Sequence, residues 1–323
     1  MLAIQAREAG GVDVLEAVDV PVPTPGPGQI LLRQEAAGLN FIDTYFRSGL
    51  YPAKFPLVLG QEGAGVVEAI GEGVTRFQVG DRAGYGVGGG GGYAEAVVLK
   101  EDKVVKLPDG VSARTAAAAL LKGMTAEFLI RRCFPVAAGD AVLIHAAAGG
   151  VGLILSQWAH SIGAFVIGTT SSDAKAQLAL ANGCDHVIRY DQGDFAPQVR
   201  DLTGGAGVRV VYDGVGKSTL EGSLSSLARR GMLVTFGNAS GPAPAVEPLR
   251  LSRGGSLFMT RPTLFDYVTT AEELDDSAGA LFEKILSGAV KIEIGAEFAL
   301  KDAAKAHQAL EARQTTGSTL LIP

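Results

Sequence analysis

The stretch Val142-Leu143-Ile144-His145-Ala146-Ala147-Ala148-Gly149-Gly150-Val151-Gly152 constrains this chain more than any other. Val142 to Ile144 is a short apolar strand, and behind the glycines Val151, Ile154, Leu155, Trp158 and Ile162 recur at spacings that put them on one helical face. The period therefore changes across the turn, from strand to helix. Gly149, Gly150 and Gly152 let the backbone turn sharply and let a phosphate approach main-chain N–H groups at the positive end of the helix. The turn departs from GxGxxG by placing Ala147 where the first glycine usually sits, and small-residue turns of this kind are common, so its context decides the reading.

That context is a repeat of strand and helix patterns. Ala164 to Gly168, Val187 to Tyr190, Val208 to Asp213, Met232 to Gly237 and Ser256 to Thr260 are strand candidates, most of them separated by helical segments. Spacing of this type predicts an α/β fold with a parallel, doubly wound Rossmann sheet. A site specific for the unphosphorylated dinucleotide would carry an Asp or Glu about twenty residues beyond the turn, on the ribose hydroxyls. Here the strand ends Gly168-Thr169-Thr170-Ser171-Ser172, with Lys175 one turn further. Hydroxyls and a lysine favour a 2′-phosphate where a carboxylate would repel one, which predicts NADPH over NADH. Asp173 reads as a helix N-cap or first-turn acid.

With 323 residues, 47% of them hydrophobic, the chain is long enough for two domains and a sizeable core. A net charge of −6 gives no basic footprint, so nucleic acid and anionic membrane are not expected partners. Cys133 and Cys184 are too few and too far apart for a disulfide framework or a four-cysteine zinc site. The N-terminus lacks a secretory apolar region and no apolar run approaches the roughly 20 residues that span a bilayer, so a cytoplasmic enzyme is expected.

The first 120 or so residues differ in texture, with short strands punctuated by Gly and Pro. The proline-rich connector Val20 to Gly28 reads as a rigid surface loop, and Gln29 to Ala36, Gly63 to Gly71 and Ala94 to Leu99 as strands of a mostly β domain. The run Gly88 to Gly92 has no helix pattern behind it and is read as a flexible turn. Ser112 to Arg132 is rich in helix formers and bridges to the nucleotide fold. After Thr260 the parallel repeat stops; a helical stretch including Ala280 to Ile285, a helix at Ala303 to Ala312 and a strand at Ser318 to Ile322 are expected to return and complete the first domain.

Three stretches together carry a family likeness: Gly38-Leu39-Asn40-Phe41-Ile42-Asp43-Thr44-Tyr45-Phe46-Arg47-Ser48-Gly49-Leu50-Tyr51, Gly60-Gln61-Glu62-Gly63-Ala64-Gly65, and Ala146 to Gly152. Over essentially its whole length the chain resembles the zinc-independent quinone oxidoreductases related to zeta-crystallin, within the medium-chain dehydrogenase/reductase superfamily. The resemblance implies a GroES-like catalytic domain over residues 1–124 and 264–323, a Rossmann NADPH-binding domain over 125–263, and a homodimer, with pairing through the strand at Ser256 to Thr260. In zinc alcohol dehydrogenases of the same superfamily a cysteine near position 39 and a histidine near position 61 hold the catalytic metal; Leu39 and Gln61 stand here, and no metal is expected.

What the resemblance implies for the site is equally specific. Asn40, Asp43, Tyr45 and Tyr51 would lie near the nicotinamide end of the interdomain cleft, with Tyr51 or solvent as proton donor. An internal Asp43–Arg47 salt bridge is the alternative use of those two charges. Thr125 would meet the nicotinamide side, and Gly149, Gly150 and Val151 the pyrophosphate. Thr169, Thr170, Ser171, Lys175 and Tyr190 would surround the adenosine ribose phosphate, with Arg313 adding charge; solvated helix charges are the alternative for Lys175 and Arg313. Phe236, Gly237, Asn238, Phe258 and Arg261 sit at or after later strand ends. His145, His160, His186 and His307 have no metal-like spacing and read as structural or surface residues, and Trp158 as core.

The expected reaction is NADPH-dependent reduction of a quinone or another electron-poor acceptor, because without a Lewis acid the acceptor must itself be electron-poor. The rivals are a reductase of α,β-unsaturated carbonyls and a nucleotide-binding protein with a structural or RNA-binding role, which the acidic charge disfavours.

Overall fold

A computed structural model describes residues 1–88 and 90–323. The turn expected at Gly88 to Gly92 includes Gly89, which lies outside the described residues. The chain forms two compact units: the first comprises Met1–Met124, Tyr267–Ser287 and Ile292–Pro323, the second Thr125–Asp266 and Gly288–Lys291.

In the second unit six parallel strands lie in the order His186–Arg189, Phe165–Thr170, Ala141–Ile144, Val208–Asp213, Leu227–Thr235, Phe258–Thr260. The first of these in sequence, Ala141–Ile144, is central, and the order reverses between it and Val208–Asp213. Crevices at the carboxyl ends of such a switch point are where open α/β sheets bind ligands. Helices pack on this sheet, so its strands read as apolar runs rather than alternating ones. Val142, Leu143, Val210, Val211 and Leu233 are wholly buried, and Leu143, Val211 and Leu233 share one core with Phe195, Val199, Leu220 and Leu224 from two of the helices. Helix Gly150–Ile162 buries Ile154, Leu155 and Trp158 and ends on Gly163, whose φ of 92° is the left-handed cap that glycine adopts without strain.

The first unit is mostly β. A seven-stranded sheet has the path Ile294–Ala299, Ser318–Ile322, Gln29–Leu39, Glu62–Ile70, Arg82–Tyr85, Val105–Lys106, with Ala96–Lys100 also paired to Gln29–Leu39. The last strand in sequence runs antiparallel to Gln29–Leu39, Leu320 opposite Gly38, which ties the chain's tail into the unit built by its beginning.

Several boundaries differ from the sequence reading. Strand Phe258–Thr260 begins two residues later than Ser256, because Ser256 has a φ of 58° and cannot continue a strand. Strand Leu227–Thr235 begins before Met232 and ends before Phe236, whose N–H turns aside to Asp213 O. Helix Ala113–Phe128 closes in one wide turn, Leu129–Cys133. The stretch around Ala280 belongs to the longer helix Ala271–Leu286, started by a reciprocal Thr270–Glu273 cap. Residues 41–47, for which no element is expected from the sequence, form the helix Phe41–Arg47.

That short helix is anchored to the tail by a buried cation. The Arg47 guanidinium, its side chain 3% exposed, meets both Glu311 oxygens at 2.6 and 3.1 Å, His307 Nδ1 at 2.9 Å and Gly10 O at 3.2 Å. By contrast, Arg33 pairs with Glu68 across an exposed sheet face, the two side chains 42% and 45% exposed. Arg47→Met is expected to cost about 2–3 kcal/mol in thermal unfolding, and Arg33→Met less than about 0.5 kcal/mol. Equal losses would overturn the assignment of Arg47 as the anchor.

Candidate functional site

The glycine turn stands at the carboxyl end of the central strand. Gly149 is the N-cap of helix Gly150–Ile162, in extended conformation, and the N–H groups of the first helical turn have no partner within the helix. Leu153 N–H closes the first turn on Gly149 O, and Ala147 N–H donates to Thr169 O at 3.1 Å, which locks the turn to the neighbouring strand end. A Cβ at position 152 would overlap Ala146 O, so only glycine permits this packing. Ala146 itself takes a φ of 51°, a left-handed conformation that costs a non-glycine residue about 1 kcal/mol. Gly150 and Val151 are half-buried beside it.

At the end of strand Phe165–Thr170 the two threonines divide. Thr169 is buried and its hydroxyl is bonded to His145 Nδ1 at 2.8 Å, so it faces into the sheet and not, as expected, toward a ribose. Thr170 is also buried, and its Oγ1 has no hydrogen-bond partner. Ser171 follows, and Ser172 caps helix Asp173–Ala181 by accepting Lys175 N–H, placing Lys175 in its first turn. Asp173 pairs with Arg189, which also meets Asp191 at 2.6 Å. Arg189 was missed by sequence reasoning: it ends the observed strand His186–Arg189, in register with Thr170, one residue before Tyr190, where the predicted strand ended. Tyr190 follows it, half-buried against the core of the unit. The unpartnered Thr170 hydroxyl, the amides of the glycine turn and the cations Lys175 and Arg189 make a donor set that fits a phosphorylated dinucleotide.

On the other side of the switch point, Asp213 is buried and organises a loop. Its Oδ1 accepts from Val215 N, Gly216 N and Thr219 Oγ1, and its Oδ2 from Thr219 Oγ1 and Ser223 Oγ. Ser223 Oγ lies 2.9 Å from His145 Nε2, so His145 ties together the ends of three strands. Burial holds its pKa below the ordinary histidine value. Phe236, Gly237 and Asn238 form the facing loop, laced to 213–216 by Phe236 N to Asp213 O and Ser240 N to Val215 O, both 2.8 Å. Arg261 lies just past Thr260 and donates to Thr235 O at 3.2 Å. Phe258 is a correction: it begins its strand, in register with mid-strand Met232, and is 56% exposed on the sheet edge, away from the carboxyl ends that hold ligands. Thr125, buried in helix Ala113–Phe128, opens this unit.

In the first unit, Asn40 is the N-cap of helix Phe41–Arg47, and Asp43 accepts its backbone N–H at 2.9 Å. The Asn40 carboxamide nitrogen donates to Glu62 Oε2 at 2.9 Å and reaches Gly38 O at 3.4 Å. Glu62 is wholly buried; its other partners are Lys122 Nζ at 2.8 Å and Leu121 N at 2.7 Å. Sequence reasoning gave Glu62 no partner. Tyr45 is buried and Tyr51 half-buried, their rings 5.3 Å apart. Arg313, exposed, lies in the first unit past helix Ala303–Glu311 with a φ of 58°.

Asp43 and Arg47 do not brace the loop by pairing with each other; they are the two ends of a buried chain. A guanidinium can only donate, so His307 Nδ1 accepts from Arg47 and the proton sits on Nε2, which donates to Tyr93 Oη at 3.1 Å. Tyr93 in turn donates to Asp43 Oδ2 at 2.9 Å. Burial and the Arg47 charge push the His307 pKa down to about 3. Burial raises that of Asp43 to about 7, against the pull of its hydrogen bonds and of Lys122. Asp43 is fully buried, and of its two oxygens Oδ2 holds the helix start through Asn40 N–H while Oδ1 has no partner among the described residues.

Residues 26–109 match the family described as alcohol dehydrogenase GroES-like domain, and residues 150–282 that described as zinc-binding dehydrogenase. Together these two parts define the class of medium-chain dehydrogenases/reductases. The chain is 51% identical over 321 residues to a quinone oxidoreductase of Pseudomonas aeruginosa, covering 99% of each chain. The crystal structure of Escherichia coli quinone oxidoreductase complexed with NADPH superposes with a TM-score of 0.98 at 44% identity, covering 100% of each chain. A 2-haloacrylate reductase of Burkholderia sp is 42% identical over 330 residues, covering 100% of this chain and 99% of the relative. The chain belongs to the quinone oxidoreductase family of the medium-chain dehydrogenases/reductases.

The Asp43 pKa has a thermodynamic consequence. Because it rises from 3.8 to about 7 on folding, the stability linked to this carboxyl is full below pH 3.8 and is lost as pH rises through about 7. His307, lowered from 6.5, acts in the opposite sense, losing stability as pH falls. The difference between Asp43→Asn and wild type cancels the histidine contribution. Thermal midpoints are expected to shift in favour of the variant by a few kcal/mol between pH 4 and pH 8, on top of a constant offset. A pH-independent difference would show that Asp43 is ionised throughout.

Proposed function

We propose that this chain is a metal-independent, NADPH-dependent reductase of quinones. The observation that carries the reading is the end of strand Phe165–Thr170, where the unpartnered Thr170 hydroxyl, Ser171 and the first-turn Lys175 stand in the place of the acid that would hold an unphosphorylated ribose. Arg189 pairs with both nearby carboxylates, Asp173 and Asp191, and offsets one of their two negative charges. Gly150 and Val151 would hold the pyrophosphate with their amides, with Gly149, whose own N–H donates to Ala146 O, keeping the turn close to it; Thr125, Phe236, Gly237, Asn238 and Arg261 would serve the nicotinamide end and Tyr190 the adenosine end. The NADPH complex of the Escherichia coli relative supports this cofactor.

When bound, NADPH supplies a hydride, and the residues of the chain bind, orient and exclude water. Asn40 and Tyr45 orient the acceptor, and the Tyr51 phenol, or solvent, gives the proton that completes reduction. Metal independence is supported by Leu39 and Gln61 at positions where thiolate and imidazole would be needed, and by Glu62, whose two oxygens are held by Lys122, Asn40 and Leu121. Among the described residues no three His, Cys, Asp or Glu side chains cluster as a metal would require. Reduction of an electron-poor C=C bond is the second reading, favoured by the 2-haloacrylate reductase relative. Among the described residues no helix is long and apolar enough to cross a membrane; the cytoplasm is the proposed location, where the free Cys133 and Cys184 would stay reduced.

Loss of NADPH absorbance with a panel of quinones, enones and 2-haloacrylates tests the reading, with NADH and a chelator in parallel. Quinone turnover that prefers NADPH and survives the chelator is expected, and Lys175→Ala should raise KM for NADPH by about 10-fold or more while sparing NADH. A preference for haloacrylates would favour the second reading, and loss of turnover with the chelator would end the metal-independent one.

The proposal includes a homodimer formed through strand Phe258–Thr260, which pairs on one side only, with Leu227–Thr235, and exposes Phe258 at the open edge. Light scattering is expected to give a dimer for the wild type and a monomer for Phe258→Asp; a monomeric wild type would refute the assembly.

A further inference from the structure

We propose that Lys122 and Glu62 are positioning residues: a buried ion pair that fixes the orientation of the Asn40 carboxamide and, through it, the start of the helix carrying Tyr45. The inference rests on the reading of Asn40 and Tyr45 as site residues and names what holds them.

The geometry is closed on every side. Glu62 is wholly buried, and Asn40 and Lys122 are each 6% exposed. A carboxylate only accepts hydrogen bonds, so the Asn40 atom 2.9 Å from Glu62 Oε2 must be the nitrogen, and the carboxamide oxygen is thereby turned away from Glu62 toward the helix start. Glu62 is held there by Lys122 Nζ at 2.8 Å on the same oxygen and Leu121 N–H at 2.7 Å on the other. Room for the carboxylate exists only because position 38 is glycine: a Cβ there would overlap both Glu62 Oε2 and Ala117 O. The other titratable groups whose charges bear on this cluster are Asp43 on the capped helix and the buried phenols of Tyr85 and Tyr93.

Lys122→Met leaves a buried carboxyl without its cation, and burial then favours the protonated form. A protonated Glu62 gains an O–H donor on one oxygen, so the carboxamide nitrogen loses its fixed acceptor and a turned-over carboxamide, with its oxygen toward Glu62, becomes an alternative. Sensitivity of the site to pH therefore follows from loss of the lysine. Lys122→Arg keeps the charge and should restore wild-type behaviour; Glu62→Gln keeps the shape, removes the fixed acceptor, and should act without adding a titration.

The test is NADPH binding by nucleotide fluorescence, with kcat and KM for 1,4-benzoquinone, at about pH 6 and about pH 8. Lys122→Met is expected to weaken NADPH binding at the lower pH by about 10-fold more than the wild type's own change between the two values, with recovery at the higher pH. Glu62→Gln is expected to raise KM by about 10-fold at both. If Lys122→Met does not fold, Glu62→Gln against Lys122→Arg decides on the same readouts. Variants that lose only thermal stability, with wild-type pH ratios and unchanged KM and kcat, would overturn the positioning role. A wild type that neither binds NADPH nor reduces the quinone would instead overturn the functional reading on which the inference rests.

Discussion

The closest constraint on this molecule is backbone meeting backbone. Where helix Gly150–Ile162 leaves the central strand, position 152 lies against Ala146 O; where strand Gln29–Leu39 turns into the capped helix, position 38 lies against Ala117 O and the Glu62 carboxylate. Neither site has room for a Cβ. The consequences differ in kind. At Gly152 the tight turn leaves the first-turn amides of a helix without internal partners at a sheet switch point, which is a place for phosphate. At Gly38 the space a Cβ would fill is taken by the Glu62 carboxylate, which accepts the Asn40 carboxamide N–H.

Burying charges is expensive, and the first unit does so twice with different solutions. Glu62 is paired outright with Lys122 and hydrogen-bonded on both oxygens. Asp43 has no cation in contact: the Arg47 charge stops at His307 and Glu311, and what arrives at Asp43 is the hydroxyl of Tyr93. Neutral donors stabilise a buried carboxylate less than a cation does, so here desolvation wins and the pKa climbs. The same chain fixes the His307 tautomer, because an arginine on one ring nitrogen leaves only the other to carry the proton. Side chains from three well-separated parts of the sequence, Asp43 with Arg47, Tyr93, and His307, thus brace one short helix.

Legibility in the sequence followed the range of the interactions. Strands such as Val208–Asp213 and Ser318–Ile322 have the bounds their patterns imply, since burial on one or both faces writes a local period. Helix Phe41–Arg47 was missed because seven residues give barely two turns of pattern, and its cap uses Asn and Asp where a Ser/Thr with Glu/Gln three residues on would have signalled a start. The Lys122–Glu62 pair bridges 60 positions and Arg47–Glu311 bridges 264, and no spacing rule links such partners. Phe258 illustrates a subtler failure: the strand was found, but its register against Met232 decides which end of the sheet the side chain occupies, and register is a tertiary property.

The two threonines at 169 and 170 show why residue type alone does not assign a ligand contact. Successive side chains on a strand point to opposite faces, so only one of two adjacent hydroxyls can face a given ligand. Thr169 Oγ1 is bonded to His145, which reaches Ser223 beside the Asp213 hub, and so helps hold the crevice in shape. Thr170 Oγ1 is left buried and unpartnered at the strand end, where leaving a polar group unsatisfied costs roughly 1–3 kcal/mol. A ligand oxygen there would remove that cost, whereas a purely structural strand end would favour valine. The economy of this strand end lies in the division: one hydroxyl maintains the scaffold, and its neighbour keeps an unsatisfied valence beside the first helical turn that carries Lys175.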